Sequence, residues 1–196
     1  AATVRAEDVT ADFILVTHGH DDHLGDTLEI SRRTNATVIA VTEIGDWLKK
    51  RGAQTHRLQI GGGHAFPFGY LKMTLALHTS SLPDGSYGGN PAGFLLTTLQ
   101  GEKIYFAGDT GLFGDMRLIG EEGVHLAVLP VGDNFTMGPA DALRAVKLLQ
   151  PQHVLPVHYN TWDIIQQDNL SPWAGQVQAE TGAQVHLLSP GQSLQF

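Results

Sequence analysis

Directly after an apolar run, Asp12–Val16 (D-F-I-L-V), the chain reads Thr17-His18-Gly19-His20-Asp21-Asp22-His23. Three imidazoles and two carboxylates within six residues, set at the end of a buried strand, restrict the folds open to this chain. In a helix His18 and His20 would point apart. A tight loop pivoting on Gly19 lets them converge, with Asp22 and His23 aimed at a neighbouring point. Three distant residues also stand where apolar runs end: His78 after Leu75-Ala-Leu, Asp109 after Tyr105-Phe-Ala-Gly, and His158 after Leu155-Pro-Val. Open α/β sheets build sites in this way, from separate strand ends meeting at one rim. Taken singly, Asp109 in G-D-T-G reads equally as a turn residue or a helix cap, and His78 and His158 as polar groups closing a strand. Taken with the first cluster, they read as its partners. Neutral imidazole and carboxylate suit zinc, manganese or iron, and two sets of them suit two metals.

The rest of the chain supplies the strands. Leu24–Arg33 predicts an amphipathic helix, Thr37–Val41 a strand, and Thr42–Arg51 a helix with Thr42 as its cap and Gly52 as its stop. Gly61–Gly63 marks a turn, after which Tyr70–Leu77 alternates apolar and polar residues. Ala92–Leu99 and Lys103–Ala107 flank Gln100-Gly101-Glu102, a hairpin signal. The residues between His78 and Ala92 read as a functional or mobile loop. Alternation then resumes: strand Leu126–Val131, helix Pro139–Leu149, strand Val154–Val157, helix Pro172–Thr181 closed by Gly182, and strand Gln184–Leu188. One α/β domain over residues 1–196 is expected.

Composition removes several classes. No cysteine is present, which excludes disulfides, thiolate metal sites and a thiol nucleophile and points to a reducing cytoplasm. Twelve Lys and Arg against 20 Asp and Glu give a formal net charge of −8, which argues against a nucleic-acid surface. No apolar run approaches the ~20 residues of a membrane span, so no membrane association is expected. No P-loop, dinucleotide loop or G-x-S-x-G elbow occurs. Of the ten histidines, His56, His64, His125, His153 and His186 lack comparable company and read as surface or satisfied strand residues. Phe66, Phe68, Leu112 and Phe113 are candidates for an exposed apolar surface, used in a homo-oligomer or under a preceding segment.

With T-H-G-H-D-D-H (Thr17–His23), A-G-D-T (Ala107–Thr110), G-D-N-F-T-M-G-P (Gly132–Pro139) and P-V-H-Y-N-T (Pro156–Thr161) in order, the sequence resembles the metallo-β-lactamase superfamily. It is similar to a bacterial family of small metal-dependent hydrolases carrying those motifs, and the match spans essentially the whole chain. The resemblance implies a four-layer αββα sandwich. It places His18, His20 and His78 on one metal, Asp22, His23 and His158 on a second, and Asp109 between them, with Asp22, Asp109 and His158 catalytic. Zinc is the first choice of metal, with manganese, iron or nickel as alternatives. Members of that family begin with further strands, and this chain starts after them, so one edge of the sandwich is expected to be uncovered.

Seven ligands make two part-filled shells with room for water. Two divalent ions against two carboxylates and a hydroxide leave the pocket slightly positive in a chain of net charge −8. The expected reaction is attack of a metal-bridging hydroxide on a small ester, lactone or phosphodiester. Asn90, Asn134, Thr136, Tyr159 and Asn160, in loops beside the ligands, are the candidate substrate contacts, although Asn134 and Thr136 read equally as shaping their turn. Two rival readings stand beside this one. A diiron-type redox member of the fold is disfavoured by His20, where such proteins resemble H-x-E-x-D; a silent metal-binding module is disfavoured by the complete ligand set.

Overall fold

The computed structural model describes residues 4–195. Phe13–Leu15 (β1), Thr37–Val41 (β2) and Gln54–Leu58 (β3) form a parallel three-stranded sheet in the order β1-β2-β3. Seven further strands form the second sheet: Gly63–Phe66 (β4), Gly69–Leu75 (β5), Ala92–Thr98 (β6), Lys103–Phe106 (β7), Leu126–Pro130 (β8), His153–Val157 (β9) and Gln184–Val185 (β10). Strands β4 to β7 pair antiparallel in sequence, and β7 to β10 pair parallel. The change follows from the connections. Gly101, with φ +92°, turns the tight β6–β7 hairpin, whereas each later connection carries a helix, as parallel neighbours require.

Helices cover the outer faces. Thr27–Thr34 (α2) and Thr42–Lys49 (α3) pack on the small sheet; Met116–Gly120 (α4), Pro139–Leu149 (α5) and Ser171–Thr181 (α6) pack on the large one. Val38, Ile39, Ala40 and Val41 of β2 are all fully buried, as a strand covered on both faces must be. Ile44 and Leu48, four apart on α3, join them, and Leu71, Met73 and Phe94 of the large sheet close the same core from the other side. The second core lies beyond the large sheet. Tyr105, Ala127, Leu129 and Val154 meet Ala142, Val146 and Leu149 of α5 and Trp173 and Val177 of α6 there. The expected αββα architecture is therefore the observed one.

Local boundaries differ from the sequence reading for physical reasons. Residues 24–33 are not one helix, because Gly25 takes φ +40° and breaks it into Asp21–Leu24 (α1) and α2. Thr42 is the first residue of α3 rather than its cap, and its hydroxyl accepts a hydrogen bond from Gln59. The polar strand β3, the short β4 and the five-residue α4 carried no periodic signal. Phe66, Phe68, Leu112 and Phe113 are not an exposed patch. Phe66 and Phe68 stack on each other and edge onto Phe13 with ring centroids 5.8 and 4.9 Å away, and Leu112 and Phe113 pack into the outer core.

Candidate metal centre

Every candidate donor follows the carboxyl end of a strand. His18, His20, Asp22 and His23 follow β1, His78 follows β5, Asp109 follows β7, and His158 follows β9. Through their shared antiparallel neighbour β6, strands β5 and β7 point the same way, so their ends meet at one rim. The segment after β1 is tied to that rim by the Ala92 N–H donating to Thr17 O at 3.0 Å and the Gly19 N–H donating to Ser80 Oγ at 3.0 Å. Gly19 has to be glycine for a steric reason. A Cβ there would stand 2.9 Å from the Ser81 carbonyl oxygen.

Two donor groups result. One ring nitrogen each from His18, His20 and His78 forms the first; Asp22, His23, Asp109 and His158 form the second, and within each group the donor atoms lie within 4.8 Å of one another. Asp109 touches both groups. Its Oδ2 lies 3.6 Å from His78 Nε2 and 3.2 Å from His158 Nε2, and its Oδ1 lies 3.2 Å from His23 Nε2. Asp22 Oδ2 is 3.4 Å from both His23 Nε2 and His158 Nε2. The loop expected around Asp22 and His23 is in fact the single turn α1, which sends both side chains to the same side.

Thr17, the first residue of the motif, has a role that sequence reading did not assign. Its hydroxyl lies 3.1 Å from His18 Nδ1 and 3.3 Å from His23 Nδ1, leaving the Nε2 atoms of both rings facing the centre. Thr110 fixes the other side: its Oγ1 accepts the Leu77 N–H at 2.9 Å, and its carbonyl accepts the Met137 N–H at 3.0 Å. The backbone of His158 is held at φ +56°, in the left-handed region that costs a non-glycine residue strain.

The electrostatics suit a cation. Burial first, reinforced by His23, lowers the His18 pKa to about 3, so this ring stays neutral with one nitrogen lone pair open to a cation. His78 is lowered by burial as well. Burial opposes charge on Asp109, yet the contact with His23 and the neighbouring imidazoles outweigh it and hold the carboxyl below its ordinary value. At His23 burial also pulls the pKa down, but Asp109 and Asp22 prevail and raise it. His23 Nε2 is buried 3.2 Å from Asp109 Oδ1 without a well-directed hydrogen bond.

Above the donors opens a hollow of about 620 Å³ lined by His20, Asp22, His78, Thr79, Asp109, Phe135, His158, Trp162 and Ile164. The five polar residues expected to touch substrate are not among its lining. The exposed Asn90 accepts from Tyr87 Oη at 2.9 Å, the Asn134 N–H donates to Asp133 Oδ1, and Thr136 Oγ1 contacts Met137 O. Tyr159 packs on the outer core, and Asn160 Oδ1 accepts the Gln167 N–H at 2.6 Å. These residues shape the loops; the apolar Phe135, Trp162 and Ile164 beside them reach the hollow. The remaining histidines gather elsewhere. His56 and His64 lie with ring centroids 4.4 Å apart, and His153 Nδ1 is 2.9 Å from His186 Nε2 next to His125.

A family model described as a beta-lactamase superfamily domain matches residues 2–159. A UPF0173 metal-dependent hydrolase of Pelotomaculum thermopropionicum is 49% identical over 200 residues, covering 100% of this chain and 87% of that protein. One from Thermus thermophilus is 47% identical over 195 residues, covering 100% and 85%. Among solved structures, Igni18, a metallo hydrolase from the archaeon Ignicoccus hospitalis, superposes with a TM-score of 0.88 at 36% identity, covering 98% of this chain and 84% of that one.

Proposed function

The chain belongs to the metallo-β-lactamase superfamily and, within it, to the bacterial UPF0173 metal-dependent hydrolases, and from that premise we propose a dinuclear centre that cleaves a small ester, lactone or phosphodiester. The observation that carries the dinuclear reading is the pair of adjacent donor groups sharing Asp109. His18, His20 and His78 would hold one cation, and Asp22, His23 and His158 the other. The residues fit such ions: the donors are five imidazoles and two carboxylates, and the buried His23 Nε2 lacks a directed partner. An imidazole-rich set of this kind favours zinc, with manganese, iron and nickel as alternatives. Bound divalent cations supply Lewis acidity and the activation of a water nucleophile.

The protein's own groups prepare that chemistry. Asp109 stays ionised at neutral pH, giving negative charge where two cations must lie close together. Thr17 orients His18 and His23 at once. The hollow admits a small molecule, and neither a Lys nor an Arg lines it, which favours a small-molecule substrate over nucleic acid. Among the described residues no helix is long and apolar enough to cross a membrane.

Elemental analysis of the purified protein, with a panel of esters, lactones, thioesters and phosphodiesters, tests the reading. About two transition-metal ions per chain are expected. Asp109→Asn should lose metal and lower kcat/KM by more than about a hundredfold, since even residues that only support ligands cost 10–100-fold. His186→Ala should be nearly silent. One ion in a fully active enzyme, or equal losses from the two variants, would overturn the assignment.

A further inference from the structure

We propose that Phe135, Trp162 and Ile164 form an apolar arm-site, so that the substrate cleaved here carries an uncharged alkyl or aryl group. The inference rests on the hydrolytic reading of the same centre. These residues are 52%, 47% and 59% exposed, yet all three line the same hollow as donors His20, Asp22, His78, Asp109 and His158. Large apolar groups scattered singly over a surface need no explanation; three converging beside reactive groups in a hollow of this size mark a binding site.

The wall is built rather than left loose. Asp133 and Asn134 both take left-handed backbone, φ +63° and +53°, and Asp133 Oδ1 accepts the Asn134 N–H at 2.9 Å. Two such residues in succession are costly, and they turn the chain so that Phe135 meets the hollow. Trp162 caps the short helical turn Asp163–Ile165 and Ile164 lies within it; the turn is pinned by the fully buried Ile165 and by the Asn160 N–H donating to Ile165 O at 3.1 Å. The Trp162 ring stands edge-on to His158 with centroids 6.1 Å apart, so the apolar wall reaches the donors themselves. No cationic side chain lines the hollow. A polyanionic substrate would find nothing beyond the bound cations to neutralise it. An ester, thioester or lactone with an apolar arm matches both parts of the site: its carbonyl meets the donors and its arm covers the wall.

The experiment pairs catalysis with binding. With metal-loaded enzyme, kcat/KM for p-nitrophenyl acetate, butyrate and hexanoate should rise by up to about fourfold per methylene, and at least about tenfold across the series. Phe135→Ser with Ile164→Ser should flatten that rise, whereas Leu99→Ser, on the exposed β6–β7 hairpin, should preserve it. Independently, 4-phenylbutanol, a neutral probe, should bind the metal-loaded protein far more tightly than 1-propanol does, read as a tryptophan fluorescence change that Trp162→Phe abolishes. The double variant should weaken it at least about tenfold. If no ester turns over but the probe binding behaves as stated, the hydrolase reading fails and the arm-site stands. Equal rates along the series, or probe binding unchanged in the double variant, overturns the proposal. So does a dimer in light scattering that the double variant disperses, which would give the wall to a second copy of the chain.

Discussion

Gly132 opens G-D-N-F-T-M-G-P, and its constraint comes from a neighbour in another loop. A Cβ built on it would overlap the carbonyl oxygen of His158. Because that oxygen is backbone, the clash cannot be relieved by a rotamer change, and His158 is already held at φ +56°. Gly132→Ala is therefore expected to cost about 1–3 kcal/mol of stability and to weaken metal binding by moving a donor. Gly175→Ala makes the contrast: nothing lies within 4 Å of a Cβ there, inside α6, so a gain of about 0.5–1 kcal/mol is expected. Thermal melts and metal titrations of both variants check this, and equal behaviour of the two would refute it. The donors themselves were legible because each is a polar, ligating residue at the end of an apolar run. Phe135, Trp162 and Ile164 were not, since an apolar residue is ordinarily read as core, and only the fold shows these three left in the hollow.

Strands β3 and β4 stand at the edges of their respective sheets, and His56 and His64 join them, the rings tilted at 38° and both edging onto Phe66. Burial first and His64 second lower the His56 pKa below 6.5. The sign follows directly. Above 6.5 the ring is neutral whether folded or unfolded; as pH falls below 6.5 the unfolded chain takes up the proton first, so stability is lost until the lowered folded pKa is passed. The β3–β4 junction should therefore loosen in mild acid, seen as faster amide exchange in residues 54–66 at pH 5.5 than at pH 7.5 after correction for intrinsic rates. His64→Phe keeps an aromatic partner and removes the charge, so it should reduce that difference. An unchanged pH response in the variant would show that the pair is not responsible. The same two strands were missed in the sequence because an edge strand such as Q-T-H-R-L has no alternation to read. Its partner β2 supplies the pairing that makes it a strand, by contrast with the buried, β-branched run of β2 itself.

The two sheets are joined by their shared apolar core and by the donor set. His18, His20, Asp22 and His23 leave the small sheet, while His78, Asp109 and His158 leave the large one. Cations held between them would therefore cross-link the sandwich, in addition to whatever chemistry they supply. Binding only to the folded state adds RT ln(1 + [M]/Kd), about 4 kcal/mol at a thousandfold excess over Kd. For a chain of this size each kcal/mol moves Tm by about 2–4 °C. Chelation is thus expected to lower Tm by roughly 8–16 °C. The loss should also be uneven. Residues 17–25, 76–91, 108–115 and 157–165 carry or support donors and should gain amide exchange first, whereas β8 and α5, buried in the outer core through Leu129, Val146 and Leu149, should keep their protection. Differential scanning fluorimetry and hydrogen exchange, with metal content followed in parallel, decide it. An unchanged Tm in protein shown to be metal-free would mean that the apolar core alone holds the sheets together, and that the donors converge without contributing to the join.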